Sequence, residues 1–215
     1  MIKVAVFDFD GVIVDSNHAK EAAFYRLFDG NEKIPRAVVR DVVRRNVGTR
    51  FDILRDIFVL AGVPAERISP MVQEHAERFD ASVQEWIAKQ GLAPGAAETL
   101  QELKQRMCLY INSATPEDAL HATVKNLGIA DHFHGIHGAP STKEENLRAI
   151  LGREGIEPTE AVVIGDGEGD WYSAKATGAH FIAVASGFHD WSAYTDGFPV
   201  ISGISEARDI VAKIS

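Results

Sequence analysis

Ile2-Lys3-Val4-Ala5-Val6-Phe7-Asp8-Phe9-Asp10-Gly11-Val12-Ile13-Val14-Asp15-Ser16 opens the chain with an apolar run that stops abruptly in two acids and a glycine. Further short apolar strand candidates follow at Met107 to Asn112, Ala161 to Ile164 and His180 to Ala185, with helical stretches between them. That alternation predicts an α/β core, a doubly wound and mostly parallel sheet with helices on both faces. In such a sheet ligands bind beyond the carboxyl ends of the strands, which puts Asp8 and Asp10 at the site. Two carboxylates one residue apart on a strand point to opposite sides, unless the chain turns at Gly11 and gathers them around one centre.

The helix signals are local and readable. Thr115-Pro116-Glu117-Asp118 supplies an N-cap, a proline at the first helical position and acids in the first turn. Thr142 and Glu145 form a capping box for the next helix. Residues 16–82 break the alternation: they show helical periodicity throughout, with apolar pairs at Phe24/Phe28, Val38/Val42, Leu54/Phe58 and Val72/Ala76. The reading is a helical insert, residues 16–82, inside a core made of residues 1–15 and 83–215. The insert carries 11 basic and 10 acidic residues, whereas the whole chain carries 22 and 31, so the excess acid belongs to the core.

Composition narrows the function classes. Hydrophobic residues make up 46% and charged residues 25% of the 215, ordinary values for a soluble globular protein. The apolar runs fall far short of the roughly 18 residues a spanning helix needs, and no basic-then-apolar leader precedes the first strand, so a cytoplasmic protein is expected, with no membrane partner. A net charge of −9 argues against a nucleic-acid partner. The single cysteine, Cys108, lies in an apolar stretch and is expected to pack rather than react.

Three further stretches carry chemistry. Leu109-Tyr110-Ile111-Asn112-Ser113-Ala114 runs an apolar strand into a small hydroxyl residue before a helix, where free N–H groups and the helix dipole favour a phosphate, although such a residue is more often only a cap. Lys143, in Pro140-Ser141-Thr142-Lys143-Glu144-Glu145-Asn146, opposes the dipole of the helix it begins, so local stability alone would not choose it there. Ala161-Val162-Val163-Ile164-Gly165-Asp166-Gly167-Glu168-Gly169-Asp170 ends another strand in glycines and acids, whose hard oxygens suit Mg²⁺. At the first motif one carboxylate can attack phosphorus while the other shuttles a proton, with Mg²⁺ neutralising the phosphate. A strand-end turn, an Asp-x-Asp metal site and an EF-hand loop are competing readings. The EF-hand fails because its bidentate Glu position falls on Ala19.

Taken together, Asp8 to Ser16, Ser113, Lys143 and the Gly165-Asp166 to Asp170 stretch resemble the four motifs of the haloacid dehalogenase superfamily, in particular its branch of phosphoglycolate phosphatase-like and β-phosphoglucomutase-like enzymes. The resemblance implies a Rossmann-like core with a helical cap inserted after the first strand. It implies Asp8 as nucleophile and metal ligand. Asp10 is then acid and base, lending the metal its main-chain carbonyl. Ser113 and the Ala114 amide are implied to orient the phosphate, Lys143 to hold nucleophile and phosphate together, Asp166 to bind Mg²⁺ and Asp170 to stand beside it. Glu168 has no assigned role. In the insert, Arg50 and Lys20 are candidate substrate contacts; Lys20 stands where the mutase branch carries a histidine. The expected activity is Mg²⁺-dependent hydrolysis of a small phosphate monoester, a sugar or organic-acid phosphate. The alternatives are a phosphotransferase or mutase, a haloacid dehalogenase, or a non-enzymatic binding protein. His132, His134 and His137, on what looks like a strand edge, and Arg36, Arg40 and Arg44, on one helix face, are read as structural and solvated groups respectively.

Overall fold

The structure, a computed structural model, describes residues 1–45, 49–187, 189–194 and 197–214. The chain divides into two compact units, 1–15 with 90–215, and 16–89.

The first unit is built on β1 (Val4–Phe7), β2 (Cys108–Pro116), β3 (Gly135–Ala139), β4 (Ala161–Gly165), β5 (His180–Val184) and β6 (Val200–Ile201). They form one sheet in the order β3-β2-β1-β4-β5-β6, and every neighbouring pair is parallel. The four expected strands occupy its middle. The alternation along Phe133 to Gly138 becomes β3, on the edge of the sheet. Helices α5 (Ala96–Leu103), α6 (Glu117–Asn126), α7 (Lys143–Glu154), α8 (Glu168–Thr177) and α9 (Ala207–Ile214) complete the unit.

A parallel sheet must be covered on both sides, so its strands read as continuous apolar runs. Alternation assigns them to two faces. Val4, Val6, Tyr110, Val163, Phe181 and Ala183 pack with Leu147, Ile150 and Leu151 of α7 and Ala174 of α8. The other face, with Ala5, Phe7, Leu109, Ile111, Val162, Ile164 and Ile182, is fully or nearly fully buried too. Because β2 and β4 both flank β1, the winding reverses between β1 and β4, and the crevice at that reversal is where such sheets bind ligands. The Asp8 amide donates to Ile164 O at 2.9 Å, pinning the first residue past β1 to the end of β4.

The second unit holds α1 (Asn17–Leu27), α2 (Arg36–Arg45), α3 (Arg50–Leu60) and most of α4 (Ala65–Gln90). Its core joins Phe24 to Phe79, with ring centroids 4.4 Å apart, and Phe28 to Phe58 at 5.8 Å. The expected break at residues 82–83 does not occur. Val83 and Ile87 continue the buried stripe of Val72, Ala76 and Phe79, so α4 runs on towards Gly91, whose φ of 75° lies in the left-handed region. Arg36, Arg40 and Arg44 are exposed, as their spacing predicted. No helix among the described residues is long and apolar enough to cross a membrane.

One helix start differs from expectation. β2 extends to Pro116, and α6 begins at Glu117 with the proline as its cap residue. Thr115 is therefore a strand residue and does not cap the helix.

This turn leaves no room beside Gly138, where an added Cβ would lie 2.5 Å from Thr115 O and 2.6 Å from Glu117 Cα. Gly138→Ala is expected to shift the β2–α6 connection and to cost about 1–3 kcal/mol, read as a lowered urea midpoint. Gly152→Ala, in α7 with nothing within 4 Å of the new Cβ, is expected to be neutral or to stabilise by up to about 1 kcal/mol.

Candidate active site

Local backbone geometry places the first motif. β1 ends at Phe7, and the chain turns at Gly11, which takes a left-handed φ of 76° open to glycine at no steric cost. Gly11 N donates to Val14 O at 2.7 Å, and both Ile13 N and Val14 N donate to Phe9 O. The turn sets the two acids to different tasks. Asp8 Oδ1 accepts from Phe9 N at 2.7 Å, while its Oδ2 lies 2.9 Å from Lys143 Nζ. Asp10 Oδ2 accepts instead from the Thr115 hydroxyl at 3.0 Å.

Asp8, Asp166 and Asp170 each offer one carboxylate oxygen, and these atoms lie within 4.8 Å of one another. All three residues are buried. Asp166 arrives from the end of β4, and Asp170 from the first turn of α8, where acids favour the helix dipole. Gly167 N donates to Asp170 Oδ2 at 3.3 Å and turns this carboxylate back towards the strand end. Asp170, expected beside the ion, thus falls within the same 4.8 Å group as Asp8 and Asp166. A Cβ on Gly165 would run into the Asp170 side chain, so glycine is needed there for close approach.

Lys143 is the cation of this group. Its Nζ lies 2.7 Å from Asp170 Oδ1 as well as 2.9 Å from Asp8 Oδ2. The start of α7 is held by two mechanisms. The Thr142–Glu145 capping box forms as predicted, with Thr142 Oγ1 accepting from Glu145 N at 3.2 Å. The buried amide of Asn112 donates to Lys143 O at 2.8 Å and accepts from Asn146 Nδ2 at 3.0 Å, tying α7 to β2.

Electrostatics follow from burial. Desolvation and then the charge of Asp8 push the Asp170 carboxyl up, against the pull of Lys143. Desolvation works against the Lys143 ammonium, but Asp170 and Asp8 outweigh it and raise its pKa. Three acidic groups thus face one ammonium, an excess of acid that a divalent cation could offset. The donors suit Mg²⁺ as well: carboxylate oxygens are hard ligands, and opposite corners of an octahedron with ~2.1 Å bonds lie about 4.2 Å apart.

Ser113 sits in β2, buried, and its Oγ accepts from Thr115 N at 3.1 Å. That leaves its proton free to donate elsewhere. Ala114 beside it is exposed. The register pairs Phe7 with Ile111, so Ser113 emerges at the same end of the sheet as Asp8. The sequence reading gives Asn112 and Asn146 no role, and Thr115 only that of a helix cap. The available signal was the buried amide in an otherwise apolar strand.

Arg50 and Lys20 belong to the second unit. Arg50 is only 16% exposed, its guanidinium 2.8 Å from Asp80 Oδ2 and stacked over Phe51. Burial raises the Asp80 carboxyl, opposed by Arg50 and, more weakly, Lys20. Gly48, next to this stretch, lies outside the described residues. His132, His134 and His137 form no metal-ready group among the described residues; His137 stacks on Tyr110, whose hydroxyl donates to Glu154. Cys108 is half-buried, its thiol pushed up by desolvation and by Glu154, away from the thiolate that a nucleophile needs.

Comparison with known proteins agrees with this geometry. The family model of haloacid dehalogenase-like hydrolases matches residues 2–178. Phosphoglycolate phosphatase from Vibrio vulnificus is 27% identical over 223 residues, covering 98% of this chain and 96% of the relative. The phosphoglycolate phosphatase of Synechococcus elongatus is 26% identical over 202 residues, 88% of this chain and 86% of its own. Among solved structures, a haloacid dehalogenase-like hydrolase from Streptococcus pneumoniae superposes with a TM-score of 0.74 at 24% identity, covering 100% of this chain and 99% of that one. β-Phosphoglucomutase from Clostridium difficile gives 0.73 at 19% identity, with 100% and 97% covered. At these identities the structural likeness speaks for the fold. The family match runs from the first strand past the end of α8 and takes in every acid that converges at the switch point, and the chain belongs to the haloacid dehalogenase-like hydrolase family.

Proposed function

We propose that the chain is a Mg²⁺-dependent phosphatase that hydrolyses a small phosphate monoester through an aspartyl-phosphate at Asp8. The observation that carries this reading is the convergence of Asp8, Asp166 and Asp170 on one another and on Lys143, at the carboxyl ends of β1 and β4.

Each residue has a task that its surroundings support. Asp8, with Oδ1 held by the Phe9 amide, keeps a fixed orientation for attack on phosphorus. Asp10, its Oδ2 held by the Thr115 hydroxyl, protonates the leaving alcohol and then takes a proton from the water that cleaves the acyl phosphate. Ser113, already accepting from Thr115 N, spends its own proton on a phosphate oxygen, with the Ala114 amide beside it. Lys143 holds the nucleophile and balances charge as the phosphoryl group arrives. Mg²⁺ would be held by Asp8, Asp166 and the Asp10 carbonyl, with Asp170 at its side, and when bound it offsets the phosphate's negative charge.

The substrate class is a small organic-acid or sugar phosphate; the curated relatives' names favour the organic acid. Arg50 and Lys20 are the second unit's candidates for gripping it, although Asp80 already offsets Arg50.

Phosphate release from 2-phosphoglycolate and a panel of sugar phosphates tests the reading directly. Turnover is expected with Mg²⁺, to vanish with EDTA and to return with excess Mg²⁺; chelator-insensitive activity would overturn it. Asp8→Asn is expected to bring turnover to background with an unchanged circular dichroism spectrum. Lys143→Met is expected to lower kcat/KM by about 10²–10³-fold. It also strips the counter-ion from buried acids, which costs about 3–5 kcal/mol without metal. Mg²⁺ should therefore raise the melting temperature of this variant more than that of the wild type.

A further inference from the structure

We infer that Ser186, a residue outside all four motifs, is a positioning residue that aims the Asp166 carboxylate at the metal site. The inference rests on the phosphatase reading and deepens it. Ser186 Oγ donates to Asp166 Oδ2 at 2.6 Å across 20 residues of sequence. It lies two residues past β5, the strand beside β4, and the register that pairs Gly165 with Ala183 brings the two strand ends level.

The donor stands on a fixed backbone. Ala185 N donates to Ile201 O at 2.8 Å, which ties the preceding residue to β6. Trp191 Nε1 donates to Val184 O at 3.1 Å, and Gly187 turns the chain away with a left-handed φ of 84°. A hydroxyl held this way restrains rotation of the carboxylate it touches.

The chemistry of the donor matters as much as its place. Asp166 shares a buried pocket with Asp8 and Asp170, so repulsion favours swinging its carboxylate away from the others. A lysine or arginine could restrain it, but would cancel the charge that attracts a divalent cation, as Lys143 already does in part. A serine hydroxyl orients the carboxylate and leaves its charge intact. Partners of this kind, hydrogen-bonded to a metal ligand, govern metal affinity in other sites by about 10–100-fold.

The test is calorimetric titration of metal-free protein with MgCl₂, beside Mg²⁺-dependent melting and turnover of p-nitrophenyl phosphate. Ser186→Ala is expected to weaken Mg²⁺ binding by about 10-fold or more. The apparent Mg²⁺ requirement for turnover should rise in parallel, with kcat largely recovered at saturating Mg²⁺. Ser186→Thr, which keeps the hydroxyl, should bind within about threefold of wild type; if Ser186→Ala does not fold, Ser186→Gly serves in its place. A lowered melting temperature of the metal-free protein with unchanged Mg²⁺ affinity would mark Ser186 as a loop tether and overturn the inference. Wild-type protein that binds Mg²⁺ and loses it in Asp166→Asn, but not in Ser186→Ala, would overturn this inference alone. Wild-type protein that binds no Mg²⁺ would sink the metal site, and this inference with it.

Discussion

Buried like charges govern this molecule. Asp8, Asp166 and Asp170 are drawn into a space of a few ångströms where the solvent that normally separates carboxylates is absent. Lys143 is the ammonium against them. Nothing in the stability of the fold calls for such a concentration of acid; a protein shedding this repulsion would place apolar side chains there. In the proposed function, this electrostatic imbalance draws in a cation first and an anion after it.

The rest of the core holds that imbalance in place. A parallel sheet buried on both faces gives β1 and β4 no freedom to slip, because a one-residue shift would turn every apolar side chain to the wrong face. The hydrogen bond from Asp8 to Ile164 carries this registry one residue beyond the strand. On the flanks, the Asn112–Asn146 pair fixes where α7 begins and hence where Lys143 can reach. A buried amide pair costs stability unless both partners are satisfied, so it is a specific device for alignment.

The elements that read well from sequence were those whose signal is local. The alternation of apolar strands with helices, the capping box at Thr142 and Glu145, and the turn at Gly11 depend on residues a few positions apart. Where expectation and structure part, a distant partner intervened. Thr115 looked like a helix cap, but Asp10, 105 residues away, accepts its hydroxyl while β2 runs on to Pro116. Periodicity alone ends the second unit at residue 82, yet Val83 and Ile87 find buried positions and α4 continues. The role of Asn112 has no local signal because its partners lie more than 30 positions away.

By itself the sequence determined the chemical inventory and its order: carboxylates at two strand ends, a hydroxyl at a third, and a lysine at a helix start. Those follow from composition and short-range periodicity. Only the tertiary structure decided which groups meet. It gathered Asp170 with Asp8 and Asp166, gave Asp10 the Thr115 hydroxyl as a donor, and brought Ser186 to Asp166. The physical reason is that side-chain convergence depends on strand register and on crossover connections, and these are fixed by the packing of the whole sheet, which no short window of sequence contains.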